Sequence, residues 1–158
     1  MKKHNLFLMC GVAGSGKSTY LKHLENACVI SRDEIRFGLI GDNDEYFSKE
    51  DQVFSIFIKQ IQACIDSDST PRDIYVDATH LTKKSRDKTL NALDLVNVND
   101  IVILVVKPSL TECLRRNAKR SGRRYVPPYI IRRMYAQFQP PEDDENKIFD
   151  VIYVEVPK

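Results

Sequence analysis

Long hydrophobic runs are missing from this chain of 158 residues. Apolar stretches such as Ile101 to Val106 fall far short of the roughly 20 residues that a membrane-spanning helix needs, so no membrane partner is expected. The Met1-Lys2-Lys3-His4 start leads directly into a strand-length segment and does not read as a secretion signal, so a cytoplasmic location is expected. Glycine and proline number only 6 and 7, and no stretch is low in complexity, which excludes a disordered or linker-like chain. Internal repeats are absent. The four cysteines, Cys10, Cys28, Cys64 and Cys113, show no CxxC and no Cys/His cluster of zinc-ligand spacing. They are expected to be reduced, mostly buried thiols.

What is present is an ordinary globular balance, 42% hydrophobic and 29% charged, in a length that suits one domain over residues 1–158 with a sizeable core. The net charge of +2 is small but unevenly spread. Nine Lys or Arg fall between Lys107 and Arg133 against the single acid Glu112, whereas Glu142 to Glu145 is acidic. Such polarity calls for an anionic partner or a solvated face.

Strand-like and helix-like segments alternate. Leu6 to Cys10, Val29-Ile30, Ile74 to Asp77, Ile101 to Val106 and Val151 to Val156 read as strands. Helices are expected over Lys17 to Asn26, Arg32 to Leu39, Ser48 to Asp66, Thr82 to Leu95, Ser109 to Arg120 and Tyr129 to Phe138. Right-handed crossovers between such elements give an α/β three-layer sandwich, with a mostly parallel five-stranded sheet covered on both faces.

The segment Gly11-Val12-Ala13-Gly14-Ser15-Gly16-Lys17-Ser18 matches the Walker A pattern in full and sits where the motif requires, after a buried strand and before a helix. Glycines there let successive N–H groups point at a phosphate, and the helix adds its positive end. Gly11, Ala13, Gly14, Ser15, Gly16, Lys17, Ser18 and Thr19 are therefore the expected ATP-binding residues. Lys17 reaches the β- and γ-phosphates, and Ser18 ligates Mg²⁺. Asp77, at the end of the third strand, is placed to orient the metal through water.

Asp33 and Arg36 follow the second strand, so they should emerge at the carboxyl edge of the sheet, where ligands bind. There a carboxylate can take the proton of an attacking hydroxyl, and an arginine one turn on can hold an acceptor's phosphate. The plainer alternative is that Asp33 caps a short helix and Arg36 is a solvated partner of Glu34.

With GVAGSGKST (Gly11 to Thr19), SRDEIR (Ser31 to Arg36), VDATHL (Val76 to Leu81), LRRNAKR (Leu114 to Arg120) and VP…RRMY (Val126 to Tyr135) in this order, the chain resembles the kinase domain of phage-type 5′-polynucleotide kinases over nearly its whole length. The resemblance implies a P-loop kinase fold with a helical lid over about residues 114–127. It also implies a general base at Asp33, an acceptor-phosphate contact at Arg36, and lid contacts to ATP from Arg120 and Arg116. Lys17, Asp33, Arg36 and Arg120 are then the catalytic set. Two positions depart from the family pattern, which more often has Asn where this chain has Ser31 and His80.

The basic lid segment (Arg115, Arg116, Lys119, Arg120, Arg123 and Arg124) would repel itself across a screening length of about 8 Å, so an anion is expected to relieve it. The activity implied is transfer of the γ-phosphoryl group of ATP, with Mg²⁺, to the 5′-hydroxyl end of a nucleic acid. A small-molecule kinase and a nucleotide-dependent switch are the alternatives, and the oligomeric state stays open.

Overall fold

The computed structural model describes residues 3–142 and 148–155. Five strands, β1 (His4–Cys10), β2 (Ala27–Ser31), β3 (Asp73–Asp77), β4 (Val98–Val106) and β5 (Asp150–Val154), form one sheet in the order β2-β3-β1-β4-β5. Every pairing in it is parallel. Six helices connect them: α1 (Lys17–Lys22), α2 (Arg32–Leu39), α3 (Glu50–Ile65), α4 (Lys83–Asn91), α5 (Leu110–Ala118) and α6 (Pro128–Gln137). None of the described helices is long and apolar enough to cross a membrane.

A parallel sheet has to be covered on both faces, and the alternation along the central strands does this. Leu6, Leu8 and Cys10 of β1, with Ile101, Ile103 and Val105 of β4, join Phe57, Ile61 and Ile65 of α3 and Leu90 of α4 in one core cluster. Met9 of β1, with Val102 and Leu104 of β4, meets Leu21 of α1 and Tyr75 of β3 on the opposite face. The Phe7 and Tyr75 rings stack across neighbouring strands, 4.4 Å between centroids. These two clusters make three layers and fix the β1 terminus, hence the loop that follows it.

Helix ends differ from the sequence expectation for local reasons. The first helix stops at Lys22 instead of Asn26, because Asn26 takes a left-handed φ of 52° to turn the chain into β2. The fourth starts after Thr82, whose hydroxyl accepts from the Ser85 N–H while the Ser85 hydroxyl accepts from the Thr82 N–H. It ends at Asn91, and the Val98 N–H then donates to the Leu95 carbonyl as the chain enters β4 three residues earlier than expected. Val156 and most of the acidic stretch after Glu142 lie outside the described residues.

Candidate active site

The loop between β1 and α1 is closely packed, with no room for a side chain at Gly11. A Cβ on Gly11 would lie 2.5 Å from the Val106 carbonyl and 2.7 Å from Ser15 Oγ. Gly14 (φ 79°) is pressed against the Cys113 carbonyl of α5, and Gly16 has φ 104°. The Lys17 ammonium folds back over this loop and donates to the carbonyls of Gly11 (2.6 Å) and Val12 (3.1 Å). Burial pushes the Lys17 pKa down, opposed chiefly by Asp77 and then Asp33. Burial pushes the Asp77 pKa up, opposed by Lys17. Each group favours the charged form of the other, and both keep Asp33 in electrostatic range.

On the next strand edge, Ser31 caps α2, its hydroxyl accepting from the Glu34 N–H at 3.2 Å. Asp33 is therefore not the cap. Its Oδ1 accepts from Arg36 Nη1 and from the Tyr46 hydroxyl, the latter at 2.6 Å. Arg36 is buried, 5% exposed, and is no partner of Glu34. Its Nε and Nη2 grip both oxygens of Glu50 at 2.9 and 2.6 Å, and Nη1 also donates to the Tyr46 oxygen at 2.8 Å. Tyr46 is held neutral, its pKa raised by burial and then by Asp33. Arg32 adds a second cation on Glu50 at 3.2 Å. Tyr46 and Glu50 escaped the sequence reading. Nothing marks Tyr46 in the sequence, whereas Glu50 is an acid at the start of a long helix, which usually serves only the helix end.

The basic residues between 115 and 124 divide. Arg115 and Arg116 both bond Glu112, with Arg116 Nε at 3.0 Å. Arg123 donates to the carbonyls of Phe37 (3.2 Å) and Ile40 (2.7 Å), and Arg124 pairs with Glu34 at 2.8 Å. The repulsion expected within this segment is thus relieved partly from inside the chain, by acceptors on α2 and on α5 itself. Arg120 is different. Its Nη1 is buried and finds no hydrogen-bond partner among the described residues, and the same is true of Ser15 Oγ in the loop. Burial lowers the Arg120 pKa, and Asp33 opposes this first. Arg32 Nε is a third such atom, although Arg32 Nη2 bonds Glu50. Buried orphan groups are costly, and an added anion would satisfy the two at Ser15 and Arg120.

An open cleft of about 800 Å³ has Ser18, Ser31, Glu34, Asp77, Arg120 and Arg124 on its walls. Among the described residues no cluster of three side chains is arranged to hold a metal. Ser18 and Asp77, both on the cleft wall, are oxygen donors of the kind that Mg²⁺ takes.

His80 does not reach the cleft. It is 3% exposed and faces the core, its Nδ1 donating to the Met9 carbonyl and its Nε2 3.0 Å from the Thr89 hydroxyl. Its own carbonyl accepts from Arg86 at 2.8 Å, and burial lowers its pKa to about 4. Its φ of 43° explains the departure from the family pattern, because Asn and His are among the few residues that tolerate this region. Ser31, the other departure, is accounted for by its capping bond.

A five-stranded all-parallel sheet in this order, with a Walker A loop after its first central strand, defines an α/β P-loop kinase-like fold. A family model described as an AAA domain matches residues 6–141, and the chain belongs to that family. A bifunctional polynucleotide kinase/RNA ligase from Autographa californica nuclear polyhedrosis virus is 28% identical over 146 residues. The match covers 84% of this chain and 20% of the viral protein, so the chain spans about a fifth of that relative's length. Among solved structures, the Pnkp1/Rnl/Hen1 RNA repair complex contains a chain that superposes with a TM-score of 0.72 at 22% identity, over 87% of this chain and 44% of its own. A gluconokinase from Sinorhizobium meliloti 1021 superposes with a TM-score of 0.61 at 16% identity, over 100% of this chain and 86% of its own.

Proposed function

We propose that this chain transfers the γ-phosphoryl group of ATP to the 5′-hydroxyl of a polynucleotide. The observation that carries this is Asp33. It sits at the carboxyl edge of the sheet, shares an electrostatic field with Lys17, Asp77 and Arg120, and is held from behind by Arg36 and Tyr46. A carboxylate fixed in that way can accept a hydroxyl proton without having to be oriented at the moment of reaction. The naming of the viral relative as a polynucleotide kinase supports the choice of acceptor.

In this reading, Gly11 to Thr19 cradle the triphosphate, and Lys17 leaves the loop carbonyls to hold the β- and γ-phosphoryl oxygens. Arg120 closes from the lid, about residues 114–127, and supplies its unpartnered Nη1 to charge developing on the γ-phosphoryl group. Arg116 lies nearer the nucleotide. Ser18, and Asp77 through water, would hold Mg²⁺, which neutralises phosphate charge when bound. Arg36 has four hydrogen bonds in use, to Asp33, Tyr46 and twice to Glu50. It therefore orients the base first, and one remaining N–H is available to the acceptor's phosphate.

A second reading, a kinase for a sugar or other small polyol, is favoured by the full-length superposition on the gluconokinase. The two separate cleanly. Incubated with γ-labelled ATP and Mg²⁺, the protein should label 5′-hydroxyl oligonucleotides and leave gluconate and a panel of nucleosides unlabelled, with Lys17→Ala as the inactive control. Label on gluconate alone would replace the first reading by the second.

A further inference from the structure

The segment between α2 and α3 carries a feature that phosphoryl transfer by itself does not require. Phe47 is 66% exposed, and its ring lies edge-on to Tyr46 with centroids 4.6 Å apart. Tyr46, 38% exposed, meets Phe37 in turn at 6.2 Å. The group is framed by cations. The Arg36 guanidinium lies 4.4 Å from the Tyr46 ring centroid and 5.6 Å from that of Phe47, and Arg123 lies 4.6 Å from that of Phe37. An exposed phenylalanine on a polar loop is ordinarily a cost, because its apolar surface faces water in every state.

Its neighbours suggest what covers it. The Tyr46 hydroxyl bonds Asp33 while the Tyr46 ring touches Phe47. One side chain therefore links the group that would take the proton to the exposed ring. In a nucleotide, the 5′-hydroxyl and the base are likewise joined through one small unit, the ribose. Aromatic faces interleaved with arginines are the surface that binds unpaired nucleotides, the ring stacking on the base while cations meet the backbone. A polyol offers no π-face and so makes poor use of such a surface.

Resting on the polynucleotide reading above, the geometry points to Phe47 as the stacking platform for the base of the acceptor's 5′-terminal nucleotide, with Tyr46 as the spacer that sets the distance from that base to Asp33. Phe47 is then a specificity residue. It selects an acceptor that carries a base, without regard to which base, since every base has a π-face.

The test measures KM and kcat on two 5′-hydroxyl oligonucleotides identical except that the terminal nucleotide of one is abasic. Wild-type protein should prefer the base-bearing strand in KM by roughly five-fold to a hundred-fold, the range of one stacked base. Phe47→Ala should lose most of that preference, and Phe47→Trp should restore it. In parallel, 2-aminopurine at the 5′ end should be quenched on binding wild-type protein and less so with Phe47→Ala. Equal loss on both strands, or a preference that survives Phe47→Ala with quenching intact, overturns the assignment of Phe47 alone. No transfer to either strand by wild-type protein overturns the kinase reading and this one with it.

Discussion

Arg36 and Arg120 are both arginines drawn out of solvent beside Asp33, yet they differ in what the chain has given them. Arg36 has two carboxylates and a phenol around it. Arg120 has a buried Nη1 that bonds to nothing among the described residues. A guanidinium with four of its five N–H groups engaged serves first to hold other groups in place. Arg120 has no such partner at Nη1 among the described residues, and a ligand's acceptor there would remove the cost of the buried orphan donor. On the proposed function, the acceptor side is preassembled, whereas the donor side is finished by the nucleotide.

If the contrast holds, removing the group at its centre has the largest effect. Asp33→Asn should lower the transfer rate by roughly 10²–10⁴ while leaving ATP affinity within about two-fold, read by steady-state kinetics and calorimetric titration. Arg120→Ala should cost roughly 10²–10³ in kcat with no loss of stability to urea, since no partner is left behind. A large loss of stability would show Arg120 to be scaffold after all.

Glu50→Ala tests the other half. It leaves a buried cation short of a carboxylate, which typically costs about 3–5 kcal/mol; because the Glu50 side chain is 27% exposed, about 2 kcal/mol is expected here. The urea midpoint should fall without a change in slope, and transfer should fall too, as Asp33 loses its support. An unchanged midpoint would break the comparison.

The last effect is confined to acid pH and concerns His80, whose pKa falls from 6.5 to about 4 on folding. Between those values the unfolded chain binds a proton that the folded chain does not. Stability from this group is therefore complete above pH 6.5 and lost as pH falls toward 4, by about 3 kcal/mol in total. His80→Asn, which tolerates the same backbone angle, should flatten that part of the pH–stability curve.

These regions were not equally readable. The strands, their parallel sense and the Gly11 to Ser18 loop follow from local patterns, namely apolar runs closed by glycine and a fixed spacing of Gly, Lys and Ser. Asp33 and Asp77 were legible for the same reason, each lying at or just past a strand end. Tyr46 and Glu50 were not, because their contacts with Asp33 and Arg36 depend on how the connection between α2 and α3 folds back. No local pattern encodes that. Partners for the lid cations were likewise hidden, since Glu34, Phe37 and Ile40 lie more than eighty positions away in sequence. His80 stood out in the sequence only as a departure from the family pattern, and its positive φ and burial show that it turns into the core.

The most direct test offers the protein γ-labelled ATP, Mg²⁺ and two oligonucleotides of one sequence, one ending in a 5′-hydroxyl and the other in a 5′-phosphate. The account predicts label on the hydroxyl-ended strand only, removable from its 5′ end and absent with Asp33→Asn. Label on neither strand, or undiminished label with Asp33→Asn, would contradict it.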